Sequence, residues 1–306
     1  MFSRRRLLAM GGACAASLLP VAAQGFNVRG KSRALRIAHL TDLHVQPERK
    51  AALGMERCLE LAQSHDPDVI FLGGDMVMDC FHTDLDRARK QWDLFQSVLK
   101  SNTRLPVYSV IGNHDIWGWG LPEPDIRYGK KMAMDRLGMD KKYYSFDKAG
   151  WHFVMLDSVR RLGRGYRPTL DEAQFQWLKD DLAKTPPNRP VFVMSHIPIL
   201  TTTQYFFDEQ SNQDSWKLPS EWMHLDARRI KDLFKKHRNV KGCVAGHMHM
   251  VDQVDYLGVK YFCNGAVAGR WWRGPMQEFG NGCAIIDLYG DGSMKAHYKP
   301  FDWVAA

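Results

Sequence analysis

Ala34-Leu35-Arg36-Ile37-Ala38-His39-Leu40 leads without a break into Thr41-Asp42-Leu43-His44, so a strand-like apolar run ends on a carboxylate and an imidazole. The arrangement recurs. Val69 to Leu72 is closed by Gly73-Gly74-Asp75, and Val107 to Ile111 by Gly112-Asn113-His114-Asp115. Val191 to Met194 leads into Ser195-His196, and Val240 to Ala245 into Gly246-His247-Met248-His249. Between the first three runs, residues 49–64 and 84–100 have helical spacing, with Ala52, Met55, Leu59 and Ala62 on one face of the former. Strand alternating with helix predicts an α/β fold. In such folds the loops beyond the strand ends form the ligand crevice, so clusters distant in sequence converge there.

The second half is richer in strands. Residues 143–146 and 151–156, split by Lys148-Ala149-Gly150, predict a hairpin, and 170–182 and 225–236 predict helices. Strands follow at 240–245, 259–263, 284–288 and 294–298. The simplest arrangement is one domain over 34–300, with two packed mixed sheets flanked by helices.

The chain has 306 residues, 45% hydrophobic and 25% charged, which suffices for a substantial core. Its start, Ser3-Arg4-Arg5-Arg6-Leu7-Leu8, opens an uncharged stretch that closes on Val21-Ala22-Ala23. This pattern predicts a twin-arginine-type signal peptide over residues 1–23, an export-machinery partner and an exported, periplasmic protein. The apolar stretch is short for a span of about 20 residues, so no stable membrane insertion is expected after cleavage. Removing the three arginines from the formal charge of +8 leaves +5. That modest balance suits an anionic substrate, and no nucleic-acid-binding region is evident. The cysteines beyond the leader (Cys58, Cys80, Cys243, Cys263 and Cys283) have no CxxC spacing, which argues against a zinc ribbon or a disulfide framework.

Taken singly, an Asp-x-His or a Gly-Asp is common loop chemistry. His247 and His249, two apart on an extended strand, would point the same way and make the strongest local ligand pair. Together the five clusters supply enough oxygen and imidazole donors for two adjacent metal ions, a device for displacement at phosphorus or at a carbonyl. Mixed carboxylate and imidazole ligands suit Fe, Mn, Zn or Co better than Ca or Mg.

In this order the motifs resemble the calcineurin-like metallophosphoesterases, and the resemblance runs from about Ala34 to Tyr298. It implies a four-layer α-β-β-α sandwich with the metal site at the strand-end loops. The first metal would take Asp42, His44, Asp75 and His249; the second would take Asp75, Asn113, His196 and His247, with Asp75 bridging. His114 and Asp115 are the implied catalytic pair: His114 would assist the leaving oxygen, and Asp115 would orient His114 or cap the following turn. Hydroxide held between the ions would attack phosphorus in line. Met76 and Met78 stand where the purple acid phosphatase branch carries a tyrosine ligand, and the arginine that follows Gly-Asp in protein phosphatases is missing. The pattern is most similar to bacterial class III cyclic nucleotide phosphodiesterases and their glycerophosphodiesterase relatives, although those cyclic nucleotide enzymes are cytosolic.

The expected function is therefore phosphodiester or phosphomonoester hydrolysis on a small phosphoester. The alternatives are an exported phosphatase or nucleotidase for phosphate scavenging, and a non-catalytic metal-binding module. Arg270, Trp271, Trp272 and Arg273 are the substrate-binding candidates, Trp to stack on a planar group and Arg to hold phosphate. Ser195 reads as a strand end, Arg160 to Arg167 as a basic surface loop, and His39, His152 and His224 as core or surface histidines.

Overall fold

The computed structural model describes residues 32–121, 125, 127–207 and 215–303. The expected leader lies outside them. In chain order the elements begin with β1 (Arg33–Leu40), α1 (Ala51–Gln63), β2 (Val69–Leu72), α2 (Leu85–Asn102), β3 (Val107–Ser109) and α3 (Lys131–Leu137). Then come β4 (Tyr144–Lys148), β5 (Trp151–Met155), β6 (Val159–Leu162), β7 (Gly165–Pro168), α4 (Glu172–Lys184) and β8 (Val191–Met194). The chain closes with α5 (Ala227–Lys236), β9 (Val240–Ala245), β10 (Asp252–Tyr256), β11 (Val259–Cys263), β12 (Gly282–Tyr289) and β13 (Met294–Pro300).

One sheet has the order β13-β12-β1-β2-β3 and the other β10-β11-β9-β8-β5-β4. Both are mixed. β1, β2 and β3 run parallel, with β12 antiparallel to β1; β5, β8, β9 and β11 run parallel, with β4 and β10 antiparallel at the edges.

Side-chain alternation assigns each strand face to a layer. Ala38, Ile70 and Leu72 pack with Met55 and Leu59 of α1 and Trp92 and Phe95 of α2. Their neighbours Ile37, Val69 and Phe71 turn the other way, onto Trp151, Phe153, Phe192 and Met194 of the second sheet. Phe71 meets Phe153 edge-on at 5.4 Å across that interface. The reverse of the second sheet, through Val154, Val191 and Val193, packs on Leu178 of α4 and Ile230 and Phe234 of α5. The four layers are thus α-β-β-α, as expected. Burial on both faces is why the central strands read as continuous apolar runs.

Two capping carboxylates start the long helices. Asp84 accepts from the Arg87 N–H at the start of α2, and Asp171 from the Gln174 N–H at the start of α4, each at 2.8 Å. The expected basic loop is instead the β6–β7 hairpin, with Arg161 opposite Tyr166. Six charged or glycine residues hide its two-residue alternation from a hydrophobicity reading. No helix among the described residues is long and apolar enough to cross a membrane.

Candidate metal centre

The loops after β1, β2, β3, β8 and β9 meet at one edge of the two sheets, and they are tied to one another before any side chain is considered. The Asp42 N–H donates to the Gly74 carbonyl and the His44 N–H to that of Asp75, both at 3.0 Å. The Gly246 N–H donates to the His196 carbonyl at 3.0 Å, joining the loops of the second sheet. Gly112 and Gly246 admit close approaches: a Cβ at Gly112 would stand 2.1 Å from Asp75 Oδ1, and one at Gly246 2.0 Å from Thr41 Oγ1.

Five of the expected ligands have left-handed backbone: Asp42 (φ 54°), His44 (44°), Asp75 (55°), His247 (70°) and His249 (58°). Such conformations cost on the order of 1–3 kcal/mol each and persist where the surroundings over-determine them. They also correct the expectation for His247 and His249. Neither lies on a strand, since β9 ends at Ala245, and their rings part company. His249 Nε2 faces His44 Nε2 at 3.1 Å, whereas the His247 ring meets that of His196 at 5.1 Å.

Three overlapping groups of donors result, one of them His44, Asp75 and His114. Asp42, His44 and His249 bring their donor atoms within 4.8 Å of one another, as do Asp75, His196 and His247. Asp75 joins the groups, with Oδ2 3.3 Å from His196 Nε2 and 3.8 Å from His44 Nε2. Asn113 Oδ1 lies 3.1 Å from His196 Nε2. The structure therefore brings together all seven expected ligands.

Their chemistry suits cations. His249 Nδ1 lies 2.6 Å from the Gly269 carbonyl and His196 Nδ1 2.9 Å from that of Gly73. Each carbonyl accepts the proton of Nδ1 and leaves Nε2 facing the centre. Asp42 Oδ1 is buried with no hydrogen-bond donor, 3.4 Å from His249 Nε2, so its lone pair is available. Burial alone would raise the Asp42 carboxyl, but the adjacent His249 holds it well below the usual range. Burial likewise opposes a charged His196, yet Asp75 raises that imidazole to about 9. Burial pushes His247 down to about 3.

His114 and Asp115 separate. His114 Nδ1 donates to the Met78 carbonyl at 2.6 Å, which leaves Nε2 open, and the ring stands edge-on to His44 at 4.8 Å. Asp115 orients a different group. Its oxygens accept the backbone N–H groups of Asp75 (2.9 Å), Met76 (2.7 Å) and Gly112 (2.9 Å). It is fully buried and clamps the loop after β2 to the loop after β3, so it is a positioning residue and makes no hydrogen bond to the His114 ring.

The substrate candidates also divide. Trp271 stands by the centre, its ring 4.8 Å from His249 and 6.1 Å from His44. Trp272 is fully buried, donates from Nε1 to the Leu43 and His44 carbonyls at 3.0 Å, and cannot touch a substrate. Arg270 and Arg273 are exposed and have no carboxylate partner among the described residues.

Three contributors were missed from sequence. The Glu221 carbonyl lies 3.0 Å from His247 Nε2, which turns Nδ1 of that ring toward the centre. The segment bearing Glu221 is pinned by His224, whose N–H donates to the Pro198 carbonyl at 3.0 Å. Its ring lies between Ser195 Oγ (3.2 Å) and Asp226 Oδ1 (2.9 Å). This Ser-His-Asp chain is no nucleophile, because Ser195 is buried and donates its proton to the Ile197 carbonyl. Tyr166 is the third, its ring 6.5 Å from that of His247. Burial, with Asp75 and Glu221 nearby, raises its hydroxyl pKa, so the group is a proton donor. Only the histidine and aspartate identities hinted at the His224 chain; no local pattern marks Glu221 or Tyr166.

A profile of the family described as calcineurin-like phosphoesterase matches residues 35–251. A 3',5'-cyclic-nucleotide phosphodiesterase of Nostoc sp. is 25% identical over 279 residues, 85% of this chain and 90% of that one. Purple acid phosphatase 22 of Arabidopsis thaliana is 30% identical over 204 residues, 61% of this chain and 44% of its own. The fold is shared with a dimetal phosphatase from Danio rerio at a TM-score of 0.61 and 14% identity, over 87% of this chain and 99% of that one. With the matched profile spanning every expected ligand loop, this chain belongs to the calcineurin-like phosphoesterases, a family of hydrolases with binuclear metal centres.

Proposed function

We propose that this protein hydrolyses a phosphodiester at a two-metal centre held by Asp42, His44, Asp75 and His249 on one side and Asp75, Asn113, His196 and His247 on the other. The carrying observation is the Asp75 carboxylate between the two donor groups, 3.3 Å from His196 Nε2 and 3.8 Å from His44 Nε2. Bound cations would act as Lewis acids on the phosphoryl oxygens and lower the pKa of water to about 7. The chain's own residues do the rest. The Gly73, Gly269 and Glu221 carbonyls fix three imidazole tautomers, and Asp115 holds the Asp75 and Gly112 turns in register. His114, anchored through Nδ1, presents Nε2 to a departing alkoxide. Trp271 offers a face to the organic part of the ester, with Arg270 and Arg273 beside it for further anionic groups.

A proton donor such as His114 assists the poor alkoxide leaving group of either ester, and the diester is the preferred reading. The likeness to the Nostoc phosphodiesterase over most of both chains supports the same choice. The purple acid phosphatase relative keeps phosphatase activity as the second reading. The test is hydrolysis of bis-p-nitrophenyl phosphate beside p-nitrophenyl phosphate with Mn, Fe, Zn or Co. Preference for the diester supports this reading; preference for the monoester replaces it with the phosphatase. His114→Ala should keep two metals and lose about 10²–10⁴-fold in turnover. Export through the twin-arginine route rests on the Arg4-Arg5-Arg6 leader pattern, and N-terminal sequencing of periplasmic protein tests cleavage near residue 23.

A further inference from the structure

Among residues around the centre, Tyr166 has a polar group with nothing to do inside the protein. Its ring is held between Phe81, at 6.1 Å, and His247, at 6.5 Å, both edge-on. Its hydroxyl makes no hydrogen bond among the described residues. The hairpin carrying it is well anchored: Arg164 donates to the Gly120 carbonyl at 2.6 Å, and Arg161, opposite Tyr166 in the register, lies 5.2 Å over the Tyr128 ring. At the hairpin's far end the Leu225 N–H donates to the Pro168 carbonyl at 2.9 Å. The ring is therefore held at a set place beside the second donor group, as Trp271 stands beside the first. A phenylalanine would pack as well, so the ring's contacts give no reason for the oxygen.

We infer that Tyr166 is a substrate-contacting residue whose hydroxyl donates a hydrogen bond to a phosphoryl oxygen of the ester at the centre. The inference rests on the phosphoesterase reading for its ligand. A phosphoryl group there carries more charge than its oxygens can direct at metals alone. A neutral donor at a fixed distance adds a directional contact to a charged acceptor, worth more than a bond between neutral groups.

Tyr166→Phe removes the hydroxyl and keeps the ring. Metal content is measured first, then the affinity of the metal-loaded protein for inorganic phosphate by titration calorimetry. Expected are two metals per chain in both proteins and about tenfold weaker phosphate binding in the variant, the loss of one charge-assisted hydrogen bond. Unchanged phosphate affinity overturns the inference, as does the absence of phosphate binding by the loaded wild-type protein. Loss of a metal in the variant, or a tyrosinate charge-transfer band in the iron-loaded wild type, overturns it in favour of a ligand role. Weaker phosphate binding by the variant, with no ester hydrolysed by the wild type, would uphold Tyr166 and sink the hydrolase reading. Hydrolysis with normal phosphate affinity in the variant would do the reverse.

Discussion

His44 Nε2 and His249 Nε2 face each other at 3.1 Å across 205 residues of sequence. The Gly269 carbonyl lies 2.6 Å from His249 Nδ1, which turns Nε2 of that ring toward its neighbour. Burial drives His44 well below the ordinary imidazole range, and its Nδ1 has no partner, so its Nε2 is free to donate to His249. Asp42 Oδ1, buried and undonated, stands 3.4 Å from His249 Nε2. A cation held among these atoms would offset the cost of left-handed φ at all three residues.

The two donor groups should respond differently to truncation. Asp75→Ala should lower binding of both metals, because its carboxylate spans the groups, whereas His249→Ala should lose the first and keep the second. Metal per chain after gel filtration decides it. Two metals retained in Asp75→Ala would remove the bridging assignment.

His224 should matter for one metal only. It fixes the segment whose Glu221 carbonyl sets the His247 tautomer, so His224→Ala should weaken the second site about 10- to 100-fold and spare the first. A plain loss of stability would lower both sites together with the melting temperature. Competition with a chelator, read per site, separates these outcomes.

Gly54 lies in α1 where a Cβ would stand 2.1 Å from the Trp272 ring. Gly54→Ala should therefore cost about 1–3 kcal/mol through overpacking, despite alanine's better helix propensity. Because Trp272 holds the Leu43 and His44 carbonyls, first-site affinity should fall as well. A melting temperature equal to or above wild type would show that the indole moves aside freely.

His152 bridges Asp147 (2.6 Å) and Asp181 (2.8 Å), away from the centre. Burial opposes its charge, but the two carboxylates raise its pKa above 6.5 in the folded protein. The folded state thus binds the proton more tightly. Its contribution is fully present below the unfolded value near 6.5 and is lost as pH rises through the higher folded value. In thermal melts the wild type's advantage over His152→Gln should shrink across that interval; a gap independent of pH would mean the ring acts by packing alone.

Much of this was legible locally. Val69–Leu72 and Val191–Met194 are wholly apolar because both their faces are buried, while Val240–Ala245 and Val259–Cys263 admit one half-buried lysine each near the strand start. All seven ligands sit in or beside turn signals after such strands. The β6–β7 hairpin was not legible, since its arginines and glycines break the apolar alternation that marks a strand. Trp271 and Trp272 could not be told apart, because which of two adjacent indoles enters the core depends on the space left by Gly54.

Sequence by itself determined the α/β class, the order of the strand-end loops and the identity of the metal-binding side chains, since periodicity and residue chemistry are local properties. Only the tertiary structure decided which donors come together, that Asp115 clamps two loops, and that Tyr166 and the Glu221 carbonyl border the centre. Those outcomes depend on backbone φ and on distances between residues far apart in the chain, and these arise only when the two sheets pack together.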